Sequence, residues 1–174
     1  ESLNTTNLVW SSSGNLPWFL QNTVTHDGVL AARSGAITHN QQTVLQTTVA
    51  GPGTLSFWWK VSSQTTFDYL ACLVNGGVEQ ARISGNVDWQ LKTFYLGSGS
   101  QIVQWVYVKN ASTSQGQDAG WVDQVNFTPG GTAPIITTNL TDRTVPAGPN
   151  VPFSGAAPGT RPTMSQWGVH TGQR

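Results

Sequence analysis

The feature that most constrains this chain is its rhythm. Apolar and polar residues alternate in short runs, and Gly, Asn, Ser or Pro interrupts each run within about ten residues. No stretch carries the 3.6-residue apolar period of a helix. Leu55, Phe57, Trp59 and Val61 fall on one face of the clearest strand, residues 54–61. The same alternation predicts strands over 29–37, 43–49, 68–74, 78–83, 89–96, 101–109 and 121–127. Asn75-Gly76-Gly77 supplies a tight hairpin turn of the positive-φ kind, and Gly97-Ser98-Gly99-Ser100 reads as a second turn. Residues 110–118 form a polar loop. Some eight to ten short strands over residues 1–128 predict an all-β fold, a two-sheet antiparallel jelly-roll sandwich.

Pro129-Gly130-Gly131-Thr132-Ala133-Pro134 has linker composition. Residues 135–174 read differently, with Pro134-Ile135-Ile136, Val151-Pro152-Phe153 and Gln166-Trp167 spaced like the opening strands of an immunoglobulin-like repeat. About 40 residues are too few for a fold that needs about 100, so this segment reads as truncated. The expected organisation is a sandwich over 1–128, a linker over 129–134 and a partial immunoglobulin-like segment over 135–174.

Charge narrows the function classes. Only 9% of residues are charged, with 8 basic and 8 acidic side chains scattered singly and a formal net charge of zero. Without a Lys/Arg cluster, nucleic-acid binding by counterion release has nothing to work with. A membrane span needs about 20 continuous apolar residues, and no run comes close. No signal peptide is visible, and the chain opens at Glu1 as a trimmed product would. A surface solubilised by Ser, Thr, Asn, Gln and Gly suits a secreted or cell-surface protein and neutral, hydroxyl-rich ligands. Cys72 stands alone within Leu70-Ala71-Cys72-Leu73 and reads as a core residue rather than a reactive thiol.

Five stretches in order carry a family resemblance: Leu16-Pro17-Trp18-Phe19, His26-Asp27-Gly28, Ala31-Ala32-Arg33-Ser34-Gly35, Leu55-Ser56-Phe57-Trp58-Trp59-Lys60-Val61-Ser62 and Ala119-Gly120-Trp121-Val122-Asp123-Gln124-Val125-Asn126-Phe127. Together they resemble bacterial secreted modules of the MAM and cleaved-adhesin type, jelly rolls related in shape to carbohydrate-binding modules. The tail is similar to a bacterial immunoglobulin-like repeat. The resemblance implies an accessory binding or adhesion module, often stabilised by Ca²⁺, with an acid at the position of Asp123 as a metal ligand.

Read from the residues, Trp121, Asp123, Val125 and Phe127 share one face of the last strand by the period of two. That places a carboxylate among core-directed side chains. Such a group must be paired, hydrogen-bonded or metal-bound. Candidate metal ligands are Asp123, Asp27 and Asp118; the alternative is a carboxylate accepting loop N–H groups. Asp27, before Gly28, also fits a turn-former. Of the eight tryptophans, Trp10, Trp59, Trp89 and Trp105 fall on alternating strands and are expected in the core. Trp58, Trp18 and Tyr107 are the candidate stacking platforms for sugar rings.

Three functions remain. The first is a non-catalytic module that binds polysaccharide by aromatic stacking and amide hydrogen bonds. The second is a small glycoside hydrolase using Asp118 with Asp123, or Asp68 with Glu79, which requires two carboxylates about 5–10 Å apart. The third is a structural spacer or protein-binding adhesin domain.

Overall fold

The computed structural model describes Leu3 and residues 7–130; the segment expected to be immunoglobulin-like lies outside the described residues. Eight strands follow in order: β1 (Trp10–Gly14), β2 (Phe19–Gln21), β3 (Ala31–Arg33), β4 (Gln42–Ser62), β5 (Tyr69–Val74), β6 (Val78–Ser84), β7 (Asn86–Val108) and β8 (Ala119–Pro129). No helix of the described residues is long and apolar enough to cross a membrane.

Two strands are far longer than the rest, and they build the architecture. β4 and β7 pair antiparallel along almost their whole length, from Gln42 opposite Val108 to Ser62 opposite Asn86. Halfway along, the pairing shifts between Gly51 and Gly53, where the Gly51–Pro52 peptide is cis. The two halves of this ladder then join different neighbours. Residues 43–47 of β4 take β1 on one side, and residues 103–108 of β7 take β5, which pairs with β6. Residues 53–62 of β4 pair with β8, followed by β3 and β2. The result is two antiparallel layers, β1-β4-β7-β5-β6 and β7-β4-β8-β3-β2, that share the bent β4–β7 pair.

Residues 97–100 were expected to close one strand and open another. They lie instead inside β7, because the β4–β7 ladder continues through the bend, with Gly51 opposite Gly99 and Gly53 opposite Leu96. Close approach explains the glycines here. A Cβ on Gly51 would lie 1.9 Å from the Gly97 carbonyl oxygen, and one on Gly53 would lie 2.3 Å from the Phe127 ring. The expected strand over 29–37 shrinks to the three residues of β3.

The core lies between the layers. Phe57 of one layer meets Trp105 of the other edge-on, with centroids 5.1 Å apart at 87°, and meets Trp59 at 5.6 Å and 82°. Trp10 leans on Trp105 at 5.7 Å. Each such pair adds about 0.5–1.5 kcal/mol beyond the area it buries. Cys72 is fully buried in this cluster, and desolvation pushes its thiol up to about 12, which suits a packing residue.

The bend generates a paired test. Gly51→Ala is expected to destabilise the protein by about 3 kcal/mol, since the clash is with backbone that cannot move aside. Gly97→Ala, whose Cβ would meet nothing within 4 Å, should stay within about 0.5 kcal/mol of the parent in chemical denaturation.

Candidate functional site

The site is set by one extra residue in β8. Between Ser56 and Trp58 of β4 the partner shifts from Asn126 to Asp123, so Gln124 and Val125 together face the position of Phe57. Gln124 takes a positive φ of 48° to make this bulge. The extra residue reverses the parity of the strand. Val122 and Val125 point into the core, and Asp123 lies on the outer face beside Trp58. The expectation that Trp121, Asp123, Val125 and Phe127 share the core face is therefore corrected: the uniform period of two fails at Gln124. Trp121 is buried on the same outer side, with the Arg33 guanidinium 5.6 Å from its ring centre.

Asp123 is nevertheless fully buried, because the loop over residues 22–30 covers it. Its Oδ2 accepts the His26 N–H at 2.7 Å and its Oδ1 accepts the Gln124 N–H at 2.7 Å, with a further backbone hydrogen bond from Asp27. Burial raises its pKa; the His26 N–H works against that, and the nearby Asp27 charge adds to it. Asp27 also makes the expected turn, its Oδ1 accepting the Val29 N–H at 2.8 Å.

Held in this way, the loop delivers His26 onto Trp58. The imidazole lies flat on the indole, with centroids 3.7 Å apart and planes 15° apart, and Trp89 meets it edge-on at 6.0 Å. Trp89 is thus an outer-face residue, not the core residue its alternation suggested: it keeps phase with Leu91, Thr93 and Tyr95, and that partly apolar phase of β7 faces outward. Lys60 and Asp88 close this end with an ion pair at 2.5 Å. Along the same face the register sets Leu91 beside Trp58, Thr93 beside Ser56 and Asn126, and Tyr95 beside Thr54 and Thr128. Leu91 is 52% exposed and Tyr95 is 71% exposed. The surface is therefore a shallow strip about 13 Å from the Trp58 row to the Tyr95 row. It is aromatic at both ends and lined by neutral hydroxyls and amides between.

Of the three expected platforms, only Trp58 belongs to this strip, half-buried beneath His26. Trp18 is 7% exposed and packs in the core, since the Ser12 hydroxyl accepts its backbone N–H and draws the loop inward. Tyr107 is 0% exposed, at an inward position of β7. Tyr107 offers no ring to a ligand, and Trp18 only lines a shallow hollow with Trp10, Phe19 and Leu20, away from the strip. The contributors that sequence reading missed are Tyr95, Leu91, Trp89 and His26. No local signal announced Tyr95: its phase of the strand, Trp89, Leu91, Thr93 and Tyr95, is more apolar than Gln90, Lys92 and Phe94, yet it is the phase that faces outward.

The candidate acids separate. Asp118 and Asp123 sit five residues apart along one strand direction, about 16 Å, so they share neither a cleft nor a metal. Glu79 faces Leu73, five residues from Asp68, and pairs with Arg82 on the surface. Both separations exceed what a glycosidase pair needs. Among the described residues no group of three or more His, Cys, Asp or Glu side chains could hold a metal ion. The backbone N–H groups trained on Asp123 match the hydrogen-bonded alternative.

Asp118 instead joins Asp68 around Lys109, whose side chain is 1% exposed. Lys109 Nζ contacts Asp118 Oδ2, reaches the Ser114 hydroxyl at 3.0 Å and lies 3.8 Å from Asp68 Oδ2. Asp68 Oδ1 accepts the Asn110 N–H at 2.9 Å. Burial pushes the Asp118 carboxyl up, but the hydrogen bonds from Lys109 and Ser114 and the Lys109 charge outweigh it and hold it below its ordinary value. Burial and the two carboxylates push the Tyr107 hydroxyl up, which keeps it a neutral phenol.

This ion cluster ties the ends of β5, β7 and β8 together, and removing its cation leaves two acids without their counter-charge. Lys109→Met is expected to lower stability by about 3–5 kcal/mol at neutral pH. Because the folded-state pKa of Asp118 is depressed, its contribution is present above the ordinary carboxylate range and is lost as pH falls through the folded value. Urea melts of parent and variant at several pH values should therefore converge toward strong acid.

No protein-family model and no curated protein matches the sequence. Among solved structures the chain is similar to the K2 cleaved adhesin domain of Lys-gingipain (Kgp), at 14% identity and a TM-score of 0.54, over 74% of this chain and 97% of that one. It is also similar to the secreted serine protease VesC from Vibrio cholerae, at 20% identity and a TM-score of 0.53, over 65% of this chain but only 24% of the protease. A further similarity is to the module TmCBM61, solved with β-1,4-galactotriose, at 14% identity and a TM-score of 0.46, over 74% of this chain and 91% of that one. At these identities the adhesin and protease likenesses bear on fold alone: this chain shares a β-sandwich with an adhesin domain and with part of a secreted protein.

Proposed function

We propose that this sandwich is a non-catalytic binding module of an exported protein, and that it holds a neutral polysaccharide on the outer face carrying Trp58, Trp89, Leu91 and Tyr95. One observation carries the reading: Tyr95, the most exposed ring on this layer, and the half-buried Trp58 and Trp89 lie on a strip whose intervening side chains are Ser, Thr and Asn, with no net charge. An apolar ring against the C–H face of a sugar, with hydroxyl and amide groups beside it for the sugar hydroxyls, is the chemistry a neutral glycan needs. The antiparallel strands give the strip a long axis, so an extended chain fits better than a single small sugar. The scattered single charges speak against an acidic glycan, which would call for a basic cluster. The separation of the carboxylates speaks against hydrolysis.

Tyr95→Ala removes the most exposed ring of the strip. It is expected to weaken retardation on the preferred polysaccharide about tenfold, the equivalent of about 1.4 kcal/mol. Val78→Ala, at the β5–β6 turn on the other layer, should bind as the parent does. Affinity electrophoresis through glucan, xylan, mannan and chitin derivatives reads both. If the parent protein migrates freely in every gel, a glycan is not its ligand, and a protein-binding adhesin role takes its place.

A further inference from the structure

Resting on that reading, we infer that His26 is the polar specificity contact of the strip, a hydrogen-bond acceptor for one sugar hydroxyl, and that Asp123 and Gln124 are its positioning residues. Gln124 Oε1 lies 2.7 Å from His26 Nδ1. An amide oxygen can only accept, so Nδ1 carries the proton and donates it. In the neutral ring Nε2 is then left with a lone pair and no hydrogen. The ring itself is exposed. It lies flat on Trp58, and that contact, with the Trp89 edge at its side, fixes the direction of Nε2. The strip otherwise offers hydroxyls, which donate or accept as needed, and Asn126, whose Nδ2 already donates to Thr128 Oγ1 at 3.2 Å. A ring nitrogen locked as an acceptor is the kind of group that discriminates, because a ligand with no O–H at that point leaves it unsatisfied.

The same bulge that turns Asp123 outward builds the mount. Asp123 takes the backbone N–H groups of His26 and Asp27, and Gln124, one residue on, takes the His26 side chain. Two successive residues of β8 therefore fix both the backbone and the tautomer of a residue 97 positions earlier in the chain. A histidine needed only to cover Trp58 would gain nothing from a fixed tautomer. The ligand class that follows is a neutral glycan presenting a free hydroxyl at the edge of the face that stacks.

The test uses the full 174-residue chain and affinity electrophoresis at fixed pH through soluble glucan, xylan and mannan. His26→Phe keeps a ring on Trp58 and removes the acceptor. It should melt as the parent does, bind the preferred polysaccharide about tenfold more weakly and lose preference among the three. Asp123→Asn should weaken binding in the parent but add nothing in the His26→Phe background, the non-additivity expected of a residue that acts through another. Unchanged affinity and preference in His26→Phe, alongside weakened binding in Tyr95→Ala, would overturn the role of His26 and leave the strip standing. Additive losses in the double variant would overturn the positioning role of Asp123. A parent protein that is retarded by none of the three removes the strip as a glycan site, and the role of His26 with it.

Discussion

The β4–β7 ladder is the interaction on which everything else in this molecule rests. Every other strand attaches to it directly or through one neighbour, apart from β2, which hangs on β3. Because the ladder runs unbroken through its bend, one pair of strands serves two layers, and the layers need no separate device to hold them face to face. The bend requires backbone to approach backbone more closely than any side chain permits, which Gly51 and Gly53 supply. Once the two halves are folded over, Phe57 and Trp105 have little choice but to meet. The aromatic core thus follows from a backbone constraint, and its burial then stabilises the geometry that produced it.

On that scaffold, function enters through an irregularity. A regular β8 would have put Asp123 in phase with Val125 and faced it into the aromatic core, an untenable place for a carboxylate without a partner. The inserted residue moves Asp123 to the other side of the sheet, where a loop can satisfy it. The exchange is specific: the acid fixes the loop, and the loop sets a second aromatic ring on Trp58. Bulges often sit where a sheet must aim a side chain. Here the residue that makes the bulge, Gln124, also takes part in the aiming.

This separates what could be read in the sequence from what could not. Alternation around Leu55, Phe57 and Trp59 was enough to place the core and the fold class, since burial imposes the period of two wherever a strand has one dry face. The hairpin turn at Asn75-Gly76-Gly77 was equally legible, because positive φ at Asn75, Gly76 and Gly77 demands such residues. Alternation breaks down where register shifts, and the misplacement of Asp123 arose there. Asp123 precedes the shift between Ser56 and Trp58, whereas Trp89 alternates regularly with Leu91, Thr93 and Tyr95, and period alone does not say which phase of a strand is the dry one. The pairing of His26 with Trp58, and of Lys109 with Asp68, depends on chain segments that meet only after folding, so no local pattern could announce either. Trp18 and Tyr107 were misjudged for a different reason. A loop tryptophan and a strand tyrosine look alike whether their rings turn in or out, and here packing turned both inward.

The two buried acidic sites are satisfied in different ways, and the difference shapes the outer face. Asp68 and Asp118 are answered by the charge of Lys109, whereas Asp123 is answered by backbone dipoles alone. The first solution uses a cation and locks strand ends; the second uses none and adds no positive charge beside Asp123. Had Asp123 been neutralised by Lys or Arg, the face carrying Trp58 would have acquired a further cation beside its aromatic rings, favouring acidic ligands over neutral ones. Satisfying the carboxylate with N–H groups of its own loop orders that face and leaves Lys60 and Asp88, which answer each other, as the charges at its end. The same choice that makes Asp123 tolerable in the fold is what makes the strip suited to an uncharged, hydroxyl-rich partner.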